Sequence, residues 1–103
     1  MNHSFRVMRL AISTAAVAIL AGCAQQLIRD DATAKLQEGK FEAAVQGLQA
    51  GVAKYPDSAM LRAGLLSTRS DAVARLIAEA SQQRSAGKFE EAGKTLQRAL
   101  ALD

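Results

Sequence analysis

The chain has 103 residues, 13 of them basic and 10 acidic, for a formal net charge of +3, with one histidine, one cysteine, one proline and no tryptophan. The basic residues from Arg29 to Arg98 are scattered and have no interleaved stacking aromatics, which argues against a nucleic-acid surface. A single cysteine leaves no pair for a disulfide, and if His3 is lost with the leading segment, the remainder has no imidazole and so no residue set for a zinc site or for Ser/His or Cys/His catalysis.

In chain order, the first element is a basic start, Arg6 and Arg9 without an acid, followed by an uncharged run from Leu10 to Leu20. This is an n-region and an h-region of secretory type. The run is well short of the roughly 20 apolar residues that cross a bilayer, so it predicts targeting and not a span. It ends in Leu20-Ala21-Gly22-Cys23, and in this context the four residues resemble the box of a bacterial lipoprotein signal.

That resemblance implies cleavage before Cys23, a covalent lipid on Cys23 as the only prosthetic group, and, with Ala24 in place of Asp, the periplasmic face of the outer membrane. Several acyl chains on one residue would make such attachment durable, where a single chain gives only marginal binding. An ordinary secreted protein and an uncleaved helical anchor are the alternatives. The expected organisation is a signal peptide over 1–22, a lipid-anchored linker over 23–29 and a helical region over 30–103. Removing Arg6, Arg9 and His3 leaves eleven basic against 10 acidic residues, close to neutral.

The remainder is rich in Ala, Leu, Gln, Glu, Lys and Arg and poor in β-branched and aromatic residues, which predicts an all-α fold. Ile28, Ala32 and Leu36 keep a four-residue spacing, and Asp30 or Asp31 is placed to cap that helix and complement its dipole. Gly39-Lys40-Phe41-Glu42-Ala43-Ala44 recurs as Gly87-Lys88-Phe89-Glu90-Glu91-Ala92, and Leu48-Gln49 as Leu96-Gln97, at an offset of 48 without a gap. Each copy reads as a glycine turn ending one helix, followed by an amphipathic helix. Phe41, Ala44, Val45, Leu48 and Val52 form one apolar stripe, and Phe89, Ala92, Leu96, Ala99 and Leu100 the other.

Tyr55-Pro56-Asp57-Ser58 then predicts a break, with Asp57 or Ser58 capping the next helix. From Ala59 to Ala86 a single long helix is expected, lined by Leu61, Leu65, Ala72, Leu76 and Ala80. The weak patch Ser67-Thr68-Arg69-Ser70 leaves open a bend or restart with Ser70 as a cap. Asp71, Arg75 and Glu79, and Glu90 with Lys94, read as solvated i,i+4 pairs.

Gly39-Lys40-Phe41 with Ala44, Leu48, Gly51 and Pro56 resembles the latter part of a tetratricopeptide repeat. Phe89, Ala92, Leu96 and Ala99 match the same positions in the second copy. The resemblance implies helical hairpins in which the aromatic packs between helices, the small residues permit close crossing and the proline opens the next unit. The offset exceeds the family's period of about 34 residues by about four helical turns, which places one long connecting helix before the second turn. Such repeats usually stack in about threes with caps, so the terminal Leu100 and Leu102 suggest a repeat region that is incomplete at its end. Gly47 and Gly51, spaced Gly-x-x-x-Gly, are expected at a close helix crossing.

A further resemblance rests on Arg62, Leu65-Leu66, Arg69, Ala72-Val73, Leu76, Glu79-Ala80, Arg84, Ala86-Gly87 and Glu90-Glu91-Ala92 before Leu96-Gln97-Arg98-Ala99-Leu100. With the lipobox, these positions look like the repeat-bearing N-terminal region of secretin lipoproteins of type II secretion and pilus systems. That implies a periplasmic docking or assembly scaffold for other envelope proteins, with no small-molecule substrate. A free-standing lipoprotein of pilot type is the alternative. An enzyme would have to use Asp30-Asp31 or Glu90-Glu91, yet adjacent helical residues project about 100° apart and form no dyad.

Overall fold

A computed structural model describes residues 2–103, with side chains from residue 19 onward. Four helices follow one another among the described residues: α1 (Asn2–Gln37), α2 (Phe41–Lys54), α3 (Ala59–Ser85) and α4 (Phe89–Leu102). No strand is present among them, so the chain is all-helical.

Both glycine turns close in the same way. Gly39 and Gly87 each take φ of +79°, a left-handed conformation that costs glycine little. Around Gly39, the Lys40 N–H donates to the Lys35 carbonyl at 2.9 Å and the Gly39 N–H to Leu36 at 3.2 Å. Around Gly87, Lys88 donates to Gln83 at 2.8 Å and Gly87 to Arg84 at 3.0 Å. These paired bonds satisfy the last carbonyls of α1 and α3. Turns this short return α2 along α1 and α4 along α3 as antiparallel neighbours.

The Tyr55–Ser58 break behaves differently. Ser58 caps α3, its hydroxyl accepting from the Leu61 N–H at 3.2 Å while donating to Gln25 Oε1 at 2.8 Å on α1. Pro56 is exposed and its carbonyl accepts from the Arg62 guanidinium. It shapes a turn, then, and is not part of the core.

Two sequence expectations change. The segment 23–29 is helix and not a linker, because nothing between Leu20 and Gln37 except Gly22 opposes a helix and Ala, Leu, Gln and Arg favour one. Asp30 and Asp31 consequently lie in the interior of α1 and cap nothing. Asp30 accepts from Gln26 Nε2 at 3.0 Å and Asp31 pairs with Lys35 at 2.8 Å. The single long helix expected from Ala59 is present: α3 runs unbroken through Ser67–Ser70, and Ser70 is an exposed helical residue instead of a cap.

The core forms two clusters. One gathers Leu36, Phe41, Ala44 and Val45 with Ala72 and Leu76 of α3 and Ala99 of α4. The other joins Ala32, Leu48 and Leu61, flanked by Ile28, Val52, Tyr55 and Met60. Leu65 packs against both. At Gly51 a Cβ would lie 2.9 Å from Ile28 Cγ2 and 3.4 Å from Leu61 Cδ1, so α1, α2 and α3 cross closely there, whereas a Cβ at Gly47 would meet nothing. Only one member of the glycine pair therefore sits at the crossing.

The two copies of the repeated stripe have different fates. Phe41 is 8% exposed and Leu48 fully buried, while Phe89 is 69%, Leu96 44% and Leu100 74% exposed. Ala92 and Ala99 remain buried against α3. Phe41 is covered because α3 and α4 lie across it, and no described element lies across Phe89. The expectation of a buried Phe89 and Leu96 is thus corrected: local pattern is equal in the two copies, but coverage is not.

Candidate functional site

Three surfaces stand out among the described residues. The first is the stretch of α1 from Ile19 to Leu27. Cys23 is exposed and free, and exposed Ile19, Leu20 and Leu27 each lie about one helical turn from it. Gly22 is exposed and a Cβ there would meet nothing, and Ala21 is half-buried. The thiol therefore stands on an open, largely apolar stretch of the helix surface. No helix among the described residues is long and apolar enough to cross a membrane.

The second surface is a groove of about 410 Å³ between α1 and α3. Arg29, Thr33 and Gln37 on α1, one turn apart from each other, form one wall. Met60, Ser67, Asp71 and Arg75 lie on the α3 side, with Gly64 at its floor. Ile28, Ala32 and Leu36, their neighbours in sequence, turn into the core, so burying one stripe of α1 sets the other along the groove. The Thr33 hydroxyl is held by the Arg29 carbonyl at 3.1 Å. Arg29, Asp71 and Arg75 are exposed and belong to no ion pair among the described residues. The groove thus offers two guanidinium groups, one carboxylate, hydroxyls and a methionine: fitting partners for an irregular peptide with mixed polarity.

This groove was barely visible in the sequence, because it assembles from helices whose lining residues are more than 20 positions apart. Asp71 and Arg75 had the spacing of a solvated ladder with Glu79, but these three form no ion pair, and Glu79 accepts from Gln83 Nε2 at 3.4 Å. The visible signal was the Arg29/Thr33/Gln37 spacing, a polar stripe beside an apolar one.

The third surface is the outer side of the α3/α4 pair. Thr95, unremarked in the sequence, is buried there, with its hydroxyl 2.8 Å from Gln83 Oε1 and 3.0 Å from the Glu91 carbonyl. Beyond it, Val73, Ile77, Leu96, Ala99, Leu100 and Asp103 line an apolar hollow of about 230 Å³.

One ion pair links the copies: Arg98 Nε and Nη2 donate to Glu42 Oε1 and Oε2 at 2.5 and 3.0 Å. The Arg98 guanidinium holds the Glu42 carboxyl below its usual range, a lowering that desolvation opposes in part, and Glu42 in turn raises Arg98. The adjacent acids engage singly, Glu90 with Lys94 at 3.6 Å and Asp31 with Lys35. Among the described residues no three His, Cys, Asp or Glu side chains gather as a metal site.

No family model, curated protein or solved structure matches the chain at a significant level.

Proposed function

We propose that this chain is a lipid-anchored helical-repeat scaffold of the bacterial envelope, a tetratricopeptide-like module that holds a segment of another envelope protein in the groove between α1 and α3. The observation that carries the reading is the groove itself, about 410 Å³ between two helices. Its lining of Arg29, Arg75, Asp71 and Met60 suits a peptide better than a small metabolite, since the charges are spread along two helices instead of converging on one point.

Support for repeats comes from the equal construction of the two hairpins. Each has a left-handed glycine turn, and each turn is followed by a helix of 14 residues opening on a phenylalanine. Support for the anchor comes from the sequence before Cys23 and from that thiol's exposure. Cleavage there would remove α1 up to Gly22 and leave Cys23–Gln37, which still carries Ile28, Ala32 and Leu36 for the core and Arg29, Thr33 and Gln37 for the groove. In the secretin-like reading, the module stands before a channel-forming region and docks or assembles its partners at the outer membrane.

A photo-crosslinking residue at Ser67, inside the groove, tests this in cells. A discrete adduct with an envelope protein is expected, absent with the same residue at Gln46 on the outer face of α2, and lost with Arg75→Glu. Equal adducts from both positions would overturn the groove assignment.

A further inference from the structure

The internal repeat makes each surface of the second hairpin comparable with a surface of the first. At the offset of 48, Phe89, Leu96, Ala99 and Leu100 stand where Phe41, Leu48, Gly51 and Val52 stand, and Leu76 and Ala80 of α3 where Ile28 and Ala32 of α1 stand. In the first hairpin this face is covered by the N-terminal half of α3. Leu61 is fully buried against Leu48 and Ala32, a Cβ at Gly51 would lie 3.4 Å from Leu61 Cδ1, and Leu65 bridges both core clusters. In the second hairpin Leu76, Ala80 and Ala99 of this face are buried, but its outer part is uncovered, leaving Phe89, Leu96, Leu100 and Ile77 exposed among the described residues.

We infer that the α3/α4 face is a docking site for an amphipathic α-helix that presents leucines one turn apart, the chemistry that Leu61 and Leu65 present to α2. Two antiparallel helices leave between them a groove into which the ridge of a third helix packs, and the hollow between Val73 and Ile77 on one side and Leu96 and Leu100 on the other has that form. Its volume of about 230 Å³ falls below the roughly 300 Å³ at which small-molecule pockets begin. Its lining, apolar except for Asp103, offers a metabolite almost nothing to orient it. The surface also continues an interface that the fold already builds: α3 covers α2 as the incoming helix covers α4. The inference rests on the internal repeat and on this exposure, and not on the α1/α3 groove or on the lipid, so it stands or falls independently of the proposed function.

A covalent probe tests it in the full chain. Because Asp103 occupies the position equivalent to Tyr55, appending a second copy of residues 56–78 directly after Asp103 delivers the α3 segment at its natural offset. The expected result is a rise in Tm of about 5 °C, the shift that about 1 kcal/mol gives in a domain of this size. Amide exchange along α4 should also slow at least about tenfold, the factor equivalent to about 1.4 kcal/mol. The same tail carrying Leu61→Glu and Leu65→Glu should produce neither change. Unchanged Tm and α4 exchange, or an equal rise from the charged tail, would overturn the inference. So would sedimentation of the unextended chain as a dimer that Leu96→Glu dissociates, because the occupant would then be a second copy.

Discussion

Glu42 near the start of α2 and Arg98 near the end of α4, 56 residues apart, meet in a two-point ion pair that ties the first repeat copy to the second. Both side chains are about two-fifths exposed, so solvent screens the pair and its worth falls in the range of about 0.2–1 kcal/mol measured for surface pairs. A double-mutant cycle with Glu42→Gln and Arg98→Met should return a coupling energy of that size at neutral pH and low salt. Because Arg98 lowers the Glu42 pKa in the folded chain, the contribution is complete above the unfolded carboxylate's value of 4.5 and is lost as pH falls through the lower folded value. Urea unfolding at pH 7 and at successively lower pH below 4.5 should show the coupling intact in the first and declining through the second series, and a coupling that grows on acidification would contradict the assignment.

Phe41 and Phe89 occupy equivalent positions and should respond oppositely to truncation. Phe41→Ala empties a buried site and should cost about 3–5 kcal/mol, enough to unfold a domain of this size. Phe89→Ala removes an exposed ring and should stay within about 0.5 kcal/mol. Thermal melts followed by circular dichroism distinguish the two, and equal losses would refute the unequal burial of the copies.

Gly47 and Gly51 form a second opposed pair. At Gly47 an added methyl meets nothing, and Gly47→Ala should stabilise α2 by about 0.5–1 kcal/mol through backbone entropy. At Gly51 the new Cβ would press to 2.9 Å on the branched methyl of Ile28, a group with little room to rotate away. The overpacking cost of about 1–3 kcal/mol should outweigh the helical gain and make Gly51→Ala destabilising. Urea midpoints of the two variants check the sign of each.

Ser58 joins three segments through one hydroxyl, accepting from Leu61 N–H and donating to Gln25. Ser58→Ala should lose about 1–2 kcal/mol, an N-cap plus a partly buried hydrogen bond. Ser58→Asp should keep the cap but place a carboxylate against Gln25 Oε1, and so recover only part. Retention of full stability in the alanine variant would show that the cap is supplied elsewhere.

Cys23→Ser should abolish metabolic labelling by palmitate and leave the protein either soluble or attached only through its uncleaved signal. Labelling that persists in the serine variant would remove the lipid anchor from the proposed function, while leaving the groove and the α3/α4 face untouched.

Much of the secondary structure was legible before any coordinates. The glycines at 39 and 87 stand where left-handed turns were needed, Pro56 sits in the break, and Ser58 caps the helix that follows. These are local matters, set by dihedral preference and by hydrogen bonds within a few residues of chain. The start of the first core helix differs from the expectation for the same reason. Asp30 and Asp31 carry a cap's chemistry, but a cap needs a non-helical residue before it, and the helix-favouring run through Leu27 and Ile28 supplies none.

By itself the sequence determined that the chain is helical, where its short turns fall and which two stripes are alike, because composition and periodicity act locally and repeat identically. Only the tertiary structure decided that Phe41 is core and Phe89 is surface, that Arg29 and Arg75 face one groove, and that Glu42 finds Arg98. Burial depends on what lies across a face, and a stripe carries no record of its cover. In the first copy α3 supplies that cover; in the second the same apolar pattern is left open.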